Sequence, residues 1–192
     1  GGSRDASLDI ARASADIAFQ APRGRASQMN AGAAACRSEV LLFLHADTEL
    51  PDNSERMVLQ ALANGTGWGR FDVRIDDPRA PFRLVESLMN LRSRLSGIAT
   101  GDQALFVRRD LFEAVGGFPE IALMEDIALS KALRRRGRPT CLRARVVTSA
   151  RRWDRHGIWR TIALMWWLRA SYFFGANPSD LAIRYARSGR GQ

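Results

Sequence analysis

The sequence predicts an α/β fold, and three observations predict it. Strand-like and helix-like segments alternate along most of the 192 residues. Val40 to Leu44 is an unbroken apolar run, the pattern of a strand buried on both faces of a parallel or mixed sheet. Gly67 to Ile75 instead alternates polar with apolar, which reads as a half-exposed strand.

The elements follow in order. Gly1-Gly2-Ser3-Arg4-Asp5 reads as a turn into a helix over 5–15, with Ser3 or Asp5 as its cap. A short strand is expected over 16–20, ended by Ala21-Pro22, and an Ala-rich helix over 25–37. After the buried strand, Asn53 caps a helix to Ala63 with Glu55 in its first turn. Phe82, Leu84, Val85, Leu88, Met89, Leu91 and Leu95 recur at helical spacing over 81–95. A strand over 100–107, a short helix over 109–115 closed by Gly116-Gly117, and a helix over 125–136 stopped by Gly137 come next. The last elements are a strand within 140–149, a strongly apolar helix over 158–174 and a short helix over 179–187.

Composition is that of an ordinary globular domain, 46% hydrophobic and 26% charged, which excludes disordered and fibrous classes. Net charge is +9, and Lys131 is the only lysine. The charge is unevenly spread: after residue 133 there are 14 arginines against Asp154 and Asp180. A basic C-terminal third suits phosphates or a membrane surface, and equally a solvated face. Cys36 and Cys141 lack metal-ligand or disulfide-framework spacing and read as buried, reduced residues of an intracellular protein.

Five segments carry the chemistry. The buried strand ends in His45-Ala46-Asp47, at the strand terminus where open α/β sheets bind ligands. In an extended segment His45 and Asp47 point the same way, so both could face one ligand; a plain polar loop is the alternative. Gly24 to Gly32 puts Arg25 and Asn30 at a helix start, an anion-ready position. Gly101-Asp102-Gln103 forms a polar turn, Glu125-Asp126 opens a helix, and Thr148 to Gly157 groups Arg151, Arg152 and Trp153.

In this order, Gly-Gly-Ser-x-Asp, Asn-x-Gly, an apolar strand into x-Ala-Asp, Gly-Gly-Phe, Glu-Asp and Arg-Trp, the chain resembles family 2 glycosyltransferases of the GT-A fold. The wording FLHADT, GDQ, GGFP, LMED and TSARRW is similar to the bacterial radical-SAM/selenodomain-associated transferases. The resemblance implies a GT-A, Rossmann-like mixed sheet flanked by helices. It also implies that the chain lacks the family's first strand-helix-strand and so is truncated at its N-terminus, with an inactive fragment as one expectation. A transferase domain over 1–156 would be followed by an aromatic-rich helical extension over 157–192.

The same resemblance assigns roles. Asp47 is similar to the last Asp of the Asp-x-Asp motif and would hold a divalent Mg or Mn. His45 stands where the first Asp would be, and imidazole suits softer metals, so it becomes a diphosphate or outer contact. Asp126 resembles the catalytic base, with Glu125 beside it; acids favouring a helix N-terminus are the plainer account. Gly2, Ser3, Asp5, Arg25, Asn30 and Arg152 would contact the nucleotide-sugar donor. Gly101, Asp102, Gln103 and Trp153 would line the acceptor. In the family's Gln-x-x-Arg-Trp pattern, Ser149 replaces Gln.

The resulting expectation is a metal-dependent, inverting glycosyltransferase acting on an acceptor hydroxyl. Alternatives are another nucleotide-dependent transferase, such as a nucleotidyltransferase, and a non-enzymatic anion- or membrane-binding module. The first would want a Gly-rich phosphate loop and two metal carboxylates, which the sequence lacks. Asp-x-Asp-x-Thr phosphatase chemistry is set aside because His45 occupies the nucleophile's place. Arg160 and Arg169 interrupt the 158–174 helix, so it is expected to meet core, a second copy or an anionic membrane surface rather than to span one. A cytoplasmic location, or a peripheral one at the inner membrane face, follows, with a lipid-linked acceptor as one option and no nucleic-acid partner.

Overall fold

The computed structural model describes residues 1–3, 5–65, 67–151, 153 and 157–188, with 187 and 188 as backbone only. Helices flank a five-stranded mixed sheet of order β1-β4-β3-β5-β2. The strands are β1 (Val40–Phe43), β2 (Thr48–Glu49), β3 (Trp68–Ile75), β4 (Leu105–Arg108) and β5 (Thr140–Thr148). β3 and β5 run parallel, and the other neighbours are antiparallel. The helices are α1 (Ser7–Ser14), α2 (Arg25–Ala35), α3 (Ser54–Ala63), α4 (Ala80–Ser96), α5 (Arg109–Ala114), α6 (Glu125–Arg134), α7 (Ile158–Phe173) and α8 (Pro178–Ser188).

Five sequence expectations are corrected. No strand forms over 16–20; Ile17 and Phe19 stay exposed there, with no neighbouring strand to satisfy a ladder. β1 is an edge strand, paired among the described residues only with β4, and buries just Leu41 rather than both faces. β3 is central and, apart from Arg74, wholly buried, because its polar residues pair internally instead of facing water. The strand expected over 100–107 begins only at Leu105, since Gly101–Gln103 is a 3-10 turn. Cys36 is exposed and Cys141 half-buried, contrary to the expected burial; both are free thiols.

Polar side chains complete the sheet. β3 pairs with β4 only through Trp68 and Gly69, leaving its later backbone groups without a strand on that side. α4 supplies them. The Asn90 amide donates to the Val73 carbonyl at 3.0 Å and accepts from the Val73 N–H at 2.9 Å, and Glu86 accepts from the Ile75 N–H at 2.6 Å. Beneath them Asp72 is held by Arg70 and, at 2.6 Å, by Arg94. Pro81 in its first turn and left-handed Gly97 at its end delimit α4.

Two further ties position the site-bearing elements. The Arg109 guanidinium donates to the carbonyls of Ala33, Cys36 and Ser38, closing the C-terminal end of α2. Ser130 exchanges two 3.1 Å hydrogen bonds with the Ala99 backbone, docking α6 on the segment that enters the Gly101–Gln103 turn. α7 and α8 pack Leu168 and Leu181 against Ile98, Leu123, Met124 and Ile127, covering the same region.

Candidate active site

Three chain segments converge on one carboxylate. Asp126 lies in the first turn of α6, and its Oδ2 accepts the Gly101 N–H at 2.8 Å while Oδ1 accepts the Ile127 N–H at 2.7 Å. Each oxygen keeps a lone-pair site for a ligand hydroxyl. Asp126 lines two adjoining cavities. One, about 60 Å³, also receives Arg25, Asp102 and Arg169. The other is smaller and is bounded by His45, Gly101 and Glu125.

Glu125 points inward and is almost wholly buried. Burial, then the charge of Asp126, hold its carboxyl above the usual range, while Arg25 opposes the shift. The Arg25 Nε stands 2.9 Å from Glu125 Oε1. Glu125 is thus committed to Arg25 and borders only the smaller cavity, whereas Asp126 carries no ion pair with Arg25 and lines both.

Asn30 and Gly117 explain how Arg25 reaches Glu125. The Asn30 amide donates to the Phe118 carbonyl at 2.8 Å and accepts from the Phe118 N–H at 2.9 Å, clamping α2 to the loop before α6. Gly117 has φ +70°, and a Cβ there would come within 2.9 Å of Asn30 Oδ1, so glycine is required twice over. Both ends of the Asn30 amide are therefore committed to positioning.

The Gly101–Gln103 turn is braced from both sides. Gln103 is fully buried, and its side-chain oxygen accepts the Thr100 N–H at 3.2 Å, so it shapes the turn instead of facing an acceptor. The His45 imidazole lies directly against Gly101, where a methyl group would collide with it, and its Nδ1 is 3.7 Å from Asp102 Oδ1. Ala104 (φ 46°) follows this turn and Met124 (φ 71°) precedes Glu125, both non-glycine residues in the left-handed region. Such conformations cost about 1–3 kcal/mol each and cluster at functional sites.

Around Asp47 the geometry differs from expectation. Ala46 and Asp47 form a turn, closed by the Thr48 N–H on the His45 carbonyl at 3.1 Å. The i, i+2 alternation is broken there, so the shared direction expected of His45 and Asp47 does not follow from the backbone. Asp47 is exposed, and its carbonyl accepts the Ser149 N–H at 3.1 Å. Pairing of Thr48 with Thr148 thus brings this turn beside the segment leading to Trp153. Arg152 lies outside the described residues. Trp153 packs edge-on against Phe82 and lines a groove with Asp102. Gly2, Ser3 and Asp5 are exposed, and Asp5 accepts the Ser7 N–H at 3.1 Å as a local turn brace.

No group of three or more His, Cys, Asp or Glu residues able to hold a metal occurs among the described residues. A lone exposed carboxylate is not a metal cage, but Mg is commonly held by one or two carboxylates plus substrate phosphates, and Asp47 fits that donor set. Sequence reasoning missed Arg92, whose guanidinium reaches the groove from the middle of α4. It treated Arg169 only as an interruption of an apolar helix. A charge inside an apolar run was the signal available.

Residues 1–116 match the family model described as glycosyl transferase family 2, a span that includes His45, Asp47 and the Gly101–Gln103 turn and ends before Glu125. No curated relative matches the chain. With more than half of its residues in that match, the chain belongs to glycosyl transferase family 2 and is a glycosyltransferase.

Proposed function

We propose that this glycosyltransferase is inverting and metal-dependent, moving a sugar from a nucleotide-diphosphate donor to an acceptor hydroxyl on a GT-A-like fold. The observation that carries the reading is the position of Asp126: half-buried, oriented by two backbone N–H groups, and shared by two adjoining cavities. Asp126 takes the proton of the acceptor hydroxyl as that oxygen bonds to the anomeric carbon. The bond from that carbon to the diphosphate breaks on the opposite face, and the nucleoside diphosphate leaves with the electron pair. Asp47 and His45 stand on the donor side, with Arg152 proposed there from the motif. A divalent Mg or Mn bound through Asp47 would neutralise charge on the leaving diphosphate. Arg25 supports the site by holding Glu125.

The acceptor side is assigned to Gly101, Asp102 and Trp153. In this reading residues 1–156 form the transferase domain and 157–192 an extension that walls the acceptor side. No helix among the described residues is long and apolar enough to cross a membrane. Peripheral membrane contact through the aromatic helix is proposed instead.

The test is transfer across a panel of nucleotide sugars by the parent and by Asp126→Asn. The substitution should lower kcat by about 10²–10⁴ while leaving the unfolding midpoint near the parent value. Parent-level turnover would remove Asp126 as the base.

A further inference from the structure

Between α4 and α7 lies a groove of about 140 Å³. Leu84 and Leu88 form one wall, Trp159 and Trp166 the other, with Trp153 among them. Among the described residues its charged lining is Arg92, Asp102 and Arg169. Asp102 and Arg169 also line the cavity that holds Asp126, so the groove and the carboxylate site share a wall.

The two arginines are unusual. Arg92 Nε and Nη2 are buried without a hydrogen-bond partner among the described residues. Burial, then the like charge of Arg169, push Arg92 down to about 10, with Asp126 and Asp102 opposing. Desolvated guanidinium N–H groups left unpaired are costly, and an anion lying between the two would satisfy them.

The mouth of the groove is apolar. Leu84, Leu88, Leu91 and Leu95 form one stripe on α4, and Leu95 is 71% exposed. Across from them Trp159 is 70% and Trp166 60% exposed. A contiguous patch of this kind marks a docking surface, and exposed tryptophans suit a lipid interface. Charge decides between occupants. Arg92 and Arg169 both line the groove, so a second copy using this same face would set like charges against each other, whereas an anionic lipid would meet opposite charge.

We propose that this groove is the acceptor subsite and takes a phosphodiester lipid drawn from a bilayer. The phosphate sits between Arg92 and Arg169, the chain runs between Leu88 and Trp166, and a hydroxylated head group extends toward Asp102 and Asp126. This placement of the head group rests on the transfer reading of Asp126; the binding itself does not.

The experiment titrates lysophosphatidylglycerol, below its micelle concentration, against the full chain and follows tryptophan emission. Trp153, Trp159 and Trp166 should shift to the blue as they lose water. Binding should be at least about tenfold tighter than for the monoacylglycerol of the same chain, which lacks the phosphate, and glycerol phosphate alone should give no shift. Arg169→Gln should erase the preference for the phosphate, and Leu88→Asp, at an exposed position, should remove binding of both lipids. Equal binding of the two lipids, a shift with glycerol phosphate alone, or undiminished binding by Leu88→Asp overturns the proposal. So does failure to bind together with a concentration-dependent dimer in light scattering, which would give the face to a second copy. No donor, metal or turnover enters the measurement. An active Asp126→Asn protein that still binds the lysolipid would sink the base assignment and leave the groove standing.

Discussion

A single hydrogen at Gly101 decides whether the two halves of the site can touch. The His45 imidazole occupies the space a methyl would need, while the Gly101 N–H is the donor that orients Asp126. Gly101→Ala should therefore act through His45. In the parent it should destabilise by about 1–3 kcal/mol, the usual range for overpacking. In a His45→Ala background, where the ring is gone, the same methyl should cost nearly nothing. Urea unfolding of the four proteins reads the difference, and equal costs in both backgrounds would show that the imidazole does not lie against Gly101. The sequence marked both residues as interesting but not their contact. A glycine before an acid reads as a turn, and nothing in the string says which side chain, 56 positions away, fills the space above it. Gln103 is a related case, because a polar residue in a loop reads as available whereas its bonds to Thr100 and Asn90 keep it buried.

At the scale of elements, helical spacing located α4, acids at the helix start located α3 and α6, and composition located α2 and α7. Such patterns failed where pairing decides. Val40 to Leu44 has the composition of a central strand and lies at an edge, whereas the alternating Trp68–Ile75 run lies at the centre. Arg70 and Asp72 read as outward residues, yet they meet each other and Arg94 inside. Periodicity reports polarity, not whether polarity is satisfied by water or by protein. The same logic gives α4 a second task, because its Asn90 stands in for a missing neighbour of β3. Asn90→Ala leaves the Val73 N–H and carbonyl buried without partners, at about 1–3 kcal/mol for each group. A fall of about 2–5 kcal/mol in urea stability, with faster amide exchange at Val73, is expected. A change below 0.5 kcal/mol, within the range of an ordinary surface substitution, would mean water replaces the amide and the helix is not stitched to the strand as described.

For the molecule as a whole, the site exists because segments a hundred residues apart are docked against one another. α2 meets the segment before and at the start of α6 through two separate contacts, Arg25 with Glu125 and Asn30 with the Phe118 backbone. Ala26 and Ala33 of the same helix pack into the core with Phe118 and Leu129. The motif order implied that these segments belong to one site, but only the fold shows that the Asn30 amide serves the architecture and Arg25 the carboxylates. Because both contacts fix one rigid helix against one segment, they should not be independent. Releasing Asn30 lets α2 shift, and Arg25 then no longer reaches Glu125, so the second substitution has less left to remove. Asn30→Ala should cost more than Arg25→Ala, since it strands two backbone groups whereas Arg25 is nearly half exposed. In the double variant the loss should fall short of the sum by about 0.5–3 kcal/mol, the coupling expected of residues acting through a shared backbone shift. A double-mutant cycle in urea measures it. Strict additivity would mean that each contact holds its own piece of chain, and that α2 does not carry Arg25 to the site as a unit.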